Sequence, residues 1–130
     1  MTVIKPYLSD VASKNEKIKL FQSLGGYLYY GLLALSLDNK NIVISAGNSS
    51  SGIKETPSFK CPHLNIGNRQ INREHGKNVL HTNYSENEIL FAIKRQLKIK
   101  KYKKNYIYGN GNSAKKIIKI LNKINPTTKH

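Results

Sequence analysis

The chain has very little cysteine and no long apolar segment, and each shortage excludes a class of protein. Cys61 is the single cysteine, so an internal disulfide is impossible and no cysteine cluster can bind a metal ion. The longest apolar stretch, from Tyr27 to Leu37, is about half of the ~20 residues that span a bilayer. Residues 1–6 have neither the apolar core nor the cleavage site of a signal peptide. We therefore expect a cytoplasmic protein without a membrane partner.

Acidic residues are also scarce, with 7 against 22 basic residues and a net charge of +15. Such an excess usually suggests nucleic acid. Here 19 of the basic residues are lysine, and the chain also has 15 asparagines and 15 isoleucines. These three residue types share AT-rich codons, so genome composition explains much of the charge. Only residues 98–104 form a dense basic patch, and without a nucleic-acid motif they favour a solvated linker over an RNA site.

The length of 130 residues suits one domain with its own core, spanning residues 1–130, and residues 125–130 are expected to be a disordered tail. Apolar runs predict four strands, at Ile18–Phe21, Ile42–Ser45, Pro62–Gly67 and Asn78–His81. Helical spacing predicts a helix ending near Asn15 with Val11 inward, a buried helix over Tyr27–Leu35 after a Gly25–Gly26 turn, and a last helix over Ala114–Ile124. A further helix opens at a capping box, Ser85–Glu88, and its predicted apolar face is Ile89, Leu90, Ile93 and Leu97.

Strands separated by helices, without hairpin signals, predict an α/β fold with a parallel sheet. Ligands of such sheets bind at the carboxyl ends of the strands. Two polar segments follow predicted strands: Asn48–Gly52 and a charged loop over Asn68–Gly76. We therefore expect both segments to lie at the same edge of the sheet.

The first of these, the serine loop, runs Gly47-Asn48-Ser49-Ser50-Ser51-Gly52 and predicts a phosphate-binding turn between a strand and a helix. Small residues allow a ligand to approach the backbone, the first amides of a helix lack intrahelical partners, and the helix dipole favours negative charge. Three serines add hydroxyl donors. The loop matches neither the Walker motif nor the dinucleotide fingerprint.

Glu55 lies one helical turn beyond the serines, inside the helix that Pro57 should end or bend. A carboxylate is a poor partner for phosphate and a good one for sugar hydroxyls, so the pair suggests a nucleotide with its diphosphate on the serines and its ribose on Glu55. A serine-rich loop with a capping glutamate that supports the helix start explains the same spacing equally well.

Three segments, GNSSSGIKETPSF, LNIGNRQINREHGKNVLH and IYGNGNSAKKIIKIL, together resemble the UDP-N-acetylglucosamine 2-epimerases, especially the hydrolysing branch that makes N-acetylmannosamine for sialic acid synthesis. The resemblance covers roughly residues 17–124. It implies a Rossmann-like fold, similar to most of the second domain of the two-domain glycosyltransferase-B fold. In that fold the nucleotide sugar lies in the cleft between the domains.

The resemblance implies roles for individual residues. Ser49 and Ser50 match the serines that hold the diphosphate, and Glu55 matches the glutamate on the ribose hydroxyls. The backbone at Leu24 and Gly25 falls where the family contacts uracil. Asn48, Ser51 and Gly52 belong to the same phosphate loop.

Arg69 and Arg73 match the family's arginine loop, where they would contact phosphate or an acidic partner domain, or hold the loop itself. The position before Arg73 is Asn72, where the family usually has glycine. Asparagine tolerates positive φ better than most residues, so we expect the loop to survive the difference.

The family eliminates UDP and then adds water, using carboxylates of the first domain and an early histidine of the second. None of the matched segments contains these groups. His63 is predicted to pack in a strand, His75 and His81 lie on or beside the arginine loop, and His130 is terminal, so no catalytic residue, metal site or cofactor is predicted.

Two functions follow from the sequence. The chain supplies the UDP-binding wall of a split or fragmentary hydrolysing epimerase and is inactive without a first-domain partner, or it is a stand-alone or vestigial nucleotide-binding domain without catalysis. The sequence does not distinguish UDP from GDP, does not identify the sugar and is compatible with a homo-oligomer. It does not favour a nucleic-acid partner.

Overall fold

A computed structural model of the chain describes residues 4–124, which fall into two compact units, one up to Gly31 and the other from Leu32. The predicted tail, residues 125–130 including His130, lies outside the described residues. The first unit contains α1 (Ile4–Ser13), on which Val11 is half-buried as expected, and most of α2 (Gly25–Ala34). Among the described helices, none combines the length and apolarity needed to cross a membrane.

Two expectations for the early chain are wrong. Residues 18–21 form no strand, because a short apolar run needs a neighbouring strand to pair with, and Ile18, Leu20 and Phe21 are exposed instead. Gly25, with φ +61°, turns the chain at the start of α2, but α2 is not buried: Leu33 is its one buried residue and Tyr27 is 92% exposed.

The second unit contains a three-stranded parallel sheet in the order β1-β2-β3, which confirms the predicted α/β, Rossmann-like class. The strands are β1 (Ser45–Gly47), β2 (His63–Ile66) and β3 (Val79–Thr82). Of the strand expected at residues 42–45, only Ser45 belongs to β1. Pro62 accounts for this, because it accepts a hydrogen bond from the Ser45 N–H at 2.9 Å but has no N–H with which to continue the ladder.

The connection from β1 to β2 consists of α3 (Ser50–Lys54) and a 3-10 turn, Thr56–Phe59, with Pro57 at its start. This confirms that Pro57 limits the helix before it. No helix separates β2 from β3, because residues 67–78 are turns and extended loop. The core lies around this sheet; its buried apolar residues are Leu33, Ile53, Cys61, Leu64, Val79 and Ala92.

Helix α4 (Glu86–Ile99) packs on the sheet through a face different from the predicted one. Ala92 and Gln96 are buried, Ile89 and Ile93 are half-buried, and Leu90 is 46% exposed. Buried Gln96 explains the rotation, since its Nε2 donates to the carbonyl of His63 in β2 at 3.1 Å and to that of Asn78, just before β3, at 3.0 Å.

The predicted capping box is also wrong, because Ser85 is the N-cap residue of α4 but its side chain makes no capping bond. Asn83 takes this part instead. Its Oδ1 accepts from the Ser85 N–H at 2.7 Å, and its Nδ2 donates to the Glu88 carboxylate at 2.6 Å. The last helix, α5 (Ser113–Leu121), is confirmed as an element but has no buried residue.

Candidate functional site

The serine loop follows β1 directly, as predicted. Ser49 is the N-cap residue of α3, and its Oγ accepts hydrogen bonds from the Ser51 N–H at 3.4 Å and the Ser51 hydroxyl at 3.0 Å. Asn48 and Ser49 are exposed, while Ser50 is half-buried. A hydroxyl that accepts two hydrogen bonds still has its own proton to donate. Ser49 therefore caps the helix and keeps one donor for a ligand.

The side chain of His63 packs against α3 at Gly52. A Cβ placed on Gly52 would lie 2.0 Å from Cε1 and 2.2 Å from Nε2 of the His63 imidazole, which is 1% exposed. His63 Nδ1 lies 3.0 Å from the Ser45 hydroxyl. Burial lowers the pKa of His63 to about 4, so the ring is neutral at pH 7. His63 packs inside the fold, which confirms its predicted role.

A second group of buried polar side chains ties α3 to the sheet. The Thr56 hydroxyl donates to the Gly52 carbonyl, and Asn78 Nδ2 donates to Thr56 Oγ1 and to the Cys61 carbonyl, both at 2.8 Å. Thr56 and Asn78 are 0% and 3% exposed. Hydrogen bonds in such a buried setting fix the position of the backbone that carries the serines.

Glu55 is the C-cap residue of α3, not an interior helix residue as predicted. Its N–H donates to the Ser51 carbonyl at 2.9 Å, so it lies one turn beyond Ser51 on the same side of the helix. The side chain is half-buried, and within residues 4–124 its carboxylate has neither a hydrogen bond nor an ion pair. As a C-cap residue, Glu55 therefore does not lie at the start of α3. It is also the N-cap residue of the 3-10 turn Thr56–Phe59, where its side chain makes no capping bond.

The arginine loop follows β2, and because β1 and β2 are parallel, with Gly47 opposite Asn65, both loops leave the sheet at the same edge. This confirms the expected juxtaposition. Arg69 and Arg73 are exposed, and neither guanidinium is bonded to another group of the part of the chain that the structure describes. The backbone of Asn72 does not adopt positive φ.

Gln70 joins the two loops and was not singled out from the sequence. Its side chain is 3% exposed, and its Nε2 donates to the Asn48 carbonyl at 3.1 Å. In the sequence Gln70 stands among polar residues, and no local pattern predicts that it is buried. Its contact with Asn48 follows only from the position of the serine loop in the fold.

Two further histidines lie beside the arginine loop. The rings of His75 and His81 meet edge to face with centroids 4.7 Å apart, and His81 Nδ1 lies 3.0 Å from Asn65 Nδ2. Burial, and then the charge of His75, lowers the pKa of His81. Across residues 4–124, no three histidine, cysteine or acidic side chains are grouped in a way that could hold a metal ion.

Two clefts border the outer side of β3, with volumes of about 340 and 330 Å³. Both are lined by His81, Thr82 and Glu88, and neither is lined by Ser49, Ser50 or Glu55. These two clefts are therefore not formed by the predicted phosphate and ribose residues.

The remaining predicted residues lie elsewhere. Leu24 and Gly25 belong to the first unit, and their contact with a base stays a prediction. In the basic patch, Lys101 Nζ donates to the Asp38 carbonyl and to Asn39 Oδ1, and the Tyr102 hydroxyl donates to Gln96 Oε1 at 2.7 Å. Two residues of the patch thus have partners within the fold, as in a structural linker.

A family model described as UDP-N-acetylglucosamine 2-epimerase matches residues 2–122. Among curated relatives, a UDP-N-acetylglucosamine 2-epimerase of Neisseria meningitidis serogroup B is 33% identical over 92 residues, which are 68% of this chain and 24% of the relative. A GDP/UDP-N,N'-diacetylbacillosamine 2-epimerase (hydrolyzing) of Campylobacter jejuni is 36% identical over 104 residues, 79% of this chain and 25% of the relative.

A UDP-N,N'-diacetylbacillosamine 2-epimerase (hydrolyzing) of Legionella pneumophila is 34% identical over 88 residues, 68% of this chain and 23% of the relative. The chain thus spans about a quarter of the length of the curated relatives it matches.

Proposed function

The chain belongs to the UDP-N-acetylglucosamine 2-epimerase family, and from this premise we propose that it supplies the nucleotide-binding wall of a hydrolysing epimerase. Ser49 and Ser50 hold the diphosphate, with Asn48, Ser51 and Gly52 completing the loop. Glu55 holds the ribose, and the backbone at Leu24 and Gly25 contacts the base. Arg69 and Arg73 face the phosphates or an acidic surface of the partner domain.

The observation that carries the proposal is the environment of Glu55. The Glu55 carboxylate is half-buried, and within the described residues no donor bonds to it. Two vicinal hydroxyls of a ribose are donors of the required kind. Ser51 lies one turn earlier on α3, which supports a site in which the adjoining diphosphate contacts the serine loop.

The exposed arginines support the same site. Guanidinium groups pair well with phosphate oxygens, and Arg69 and Arg73 are not engaged by other groups between residues 4 and 124. The excess of positive charge, +15 over the whole sequence, raises the local concentration of anionic ligands. The names of the relatives include both UDP and GDP, so family membership leaves the base open.

We infer that the chain performs no epimerisation by itself. The relatives are about four times longer than the matched segment, and the nucleotide sugar needs both walls of its cleft. A nucleotide-binding domain without catalysis is the alternative. Both functions share the same nucleotide contacts, and they differ in whether a first-domain partner restores turnover.

Calorimetric titration tests the binding proposal, with UDP, GDP, UDP-N-acetylglucosamine and inorganic pyrophosphate as ligands. We expect UDP to bind more weakly than micromolar, because half of a cleft buries only part of the ligand. Glu55→Gln should weaken UDP by roughly 1.5–3 kcal/mol through loss of charge-assisted hydrogen bonds, and it should leave pyrophosphate unchanged. Ser49→Ala should weaken both ligands.

Glu86→Gln is the matched control, because it removes one carboxylate from an exposed position at the start of α4. It should change neither affinity. Since Ser49 also caps α3, Ser49→Ala is expected to lower stability by about 1 kcal/mol, and its thermal unfolding must be measured in parallel. Equal effects of Glu55→Gln on UDP and pyrophosphate would remove Glu55 from the ribose site.

A further inference from the structure

We propose that Gln70 is a positioning residue that couples the arginine loop to the serine loop, so that the two sets of phosphate-binding groups act as one site. The inference rests on the proposed function for its consequence in ligand binding. The coupling itself is a property of the chain without ligand. No motif of the sequence assigns Gln70 this role.

Burial distinguishes Gln70 from its neighbours. It is 3% exposed, whereas Asn68, Arg69 and the residues from Ile71 to His75 are exposed. Within the described residues Oε1 of this buried amide has no hydrogen-bond partner, so the contact of its Nε2 fixes the side chain. Gln70 is thus the one residue of the stretch 68–75 whose side chain is buried.

The partner of that amide is the serine loop. Gln70 Nε2 donates to the Asn48 carbonyl at 3.1 Å, 22 residues away in sequence. Since a carbonyl oxygen cannot donate, the nitrogen must be the amide atom that faces Asn48, and this fixes the amide orientation. The residue after Asn48 is Ser49, so the anchor adjoins the proposed diphosphate contact.

The same residue orders the arginines. The Gln70 backbone carbonyl accepts from the Arg73 N–H at 3.1 Å, and Arg69 is the adjacent residue. Gln70 therefore holds the serine loop through its side chain and the turn that carries Arg73 through its main chain. Loss of the side-chain bond should release the two loops from each other.

Hydrogen–deuterium exchange tests the coupling in the full chain. Gln70→Met keeps the side-chain length and removes the donor, and Gln96→Met is the matched control, because Gln96 is also buried but bonds to backbone beside β2 and β3. Without ligand, Gln70→Met should raise amide exchange in residues 48–52 and 68–76 by roughly 3- to 10-fold, the effect of one hydrogen bond. Gln96→Met should show no such selectivity. Unchanged exchange of residues 48–52 in a folded Gln70→Met protein overturns the proposal.

A second variant keeps the test decisive if Gln70→Met fails to fold. In the double variant Arg69→Gln, Arg73→Gln, which alters only exposed side chains, the arginines cannot contact phosphate. Inorganic pyrophosphate should still lower exchange in residues 68–76 by way of Gln70. Protection of residues 48–52 alone would refute the coupling. Protection of neither segment, in the double variant and the parent chain alike, would overturn the diphosphate site and, with it, the consequence of the coupling for ligand binding.

Discussion

Gly52 has no room for a side chain, since the buried His63 imidazole lies against its Cα. The Gly52→Ala substitution should therefore lower the free energy of unfolding by roughly 1–3 kcal/mol, the usual effect of overpacking. Chemical denaturation measures it. Gly31→Ala is the control, because a Cβ at Gly31 in α2 meets nothing within 4 Å. That change should stabilise by about 0.5–1 kcal/mol. Two substitutions of equal effect would contradict the packing of His63 against α3.

His63 also makes stability depend on pH. Burial lowers the pKa of His63 to about 4 in the folded chain, against 6.5 as the ordinary value. The unfolded state thus takes up a proton at a higher pH than the folded state does. Above about pH 6.5 this difference does not affect stability. As the pH decreases from 6.5 towards 4, protonation of the unfolded state lowers the free energy of unfolding by up to about 3 kcal/mol.

Denaturation between pH 7.5 and 4.5, together with an NMR titration of the His63 ring, measures this dependence. His81, whose pKa burial also lowers, should add to the same slope. A His63 ring that titrates near 6.5 would show that the imidazole is open to water and would remove this source of acid sensitivity.

Among the elements, α3 and α5 represent two extremes of packing. Ile53 in α3 is 0% exposed, while Ile118 in α5 is 57% exposed and the other large apolar residues of that helix are similarly open. Ile53→Ala should therefore cost about 2–5 kcal/mol. Ile118→Ala should stay within about 0.5 kcal/mol, as expected of surface substitutions.

Thermal and chemical unfolding of the two variants measure these effects. Because both substitutions are isoleucine to alanine, the difference between them reports the packing of the two helices. A large destabilisation by Ile118→Ala would mean that α5 is packed in solution, against another copy or another part of the chain. In that case the protein concentration should also shift its unfolding midpoint.

For the whole molecule, the proposed role as one wall of a cleft leads to an expectation about turnover. General acid and base groups typically contribute about 10²–10⁴-fold each, and the matched segments contain none of those that the family resemblance implies. Incubated with UDP-N-acetylglucosamine, the chain should neither release detectable UDP nor epimerise the sugar, and the UDP-N-acetylglucosamine 2-epimerase of Neisseria meningitidis, assayed for both products, serves as the control. A rate of UDP release comparable with that control would show that the chain carries its own acid–base groups.

Local patterns in the sequence were sufficient for much of this protein. The strand at His63–Ile66, the serine loop after a strand, the limit at Pro57 and the helix from Glu86 were all predictable, because alternation, turn residues and proline act over a few neighbours. The parallel arrangement followed from the absence of hairpin signals, and with it the meeting of the two loops at one edge.

Only the tertiary structure decided which residues meet across long separations. Ile18–Phe21 has the composition of a strand but has no neighbouring strand to pair with. Pro62, just before β2, limits the hydrogen bonding of β1. Gln70 and Gln96 look like surface residues, yet each is buried because a distant backbone carbonyl accepts its amide proton. Glu55, which was expected inside a helix, is the C-cap residue of α3 because this helix ends at Lys54. Such contacts depend on the packing of segments that are far apart in sequence, which no local pattern encodes.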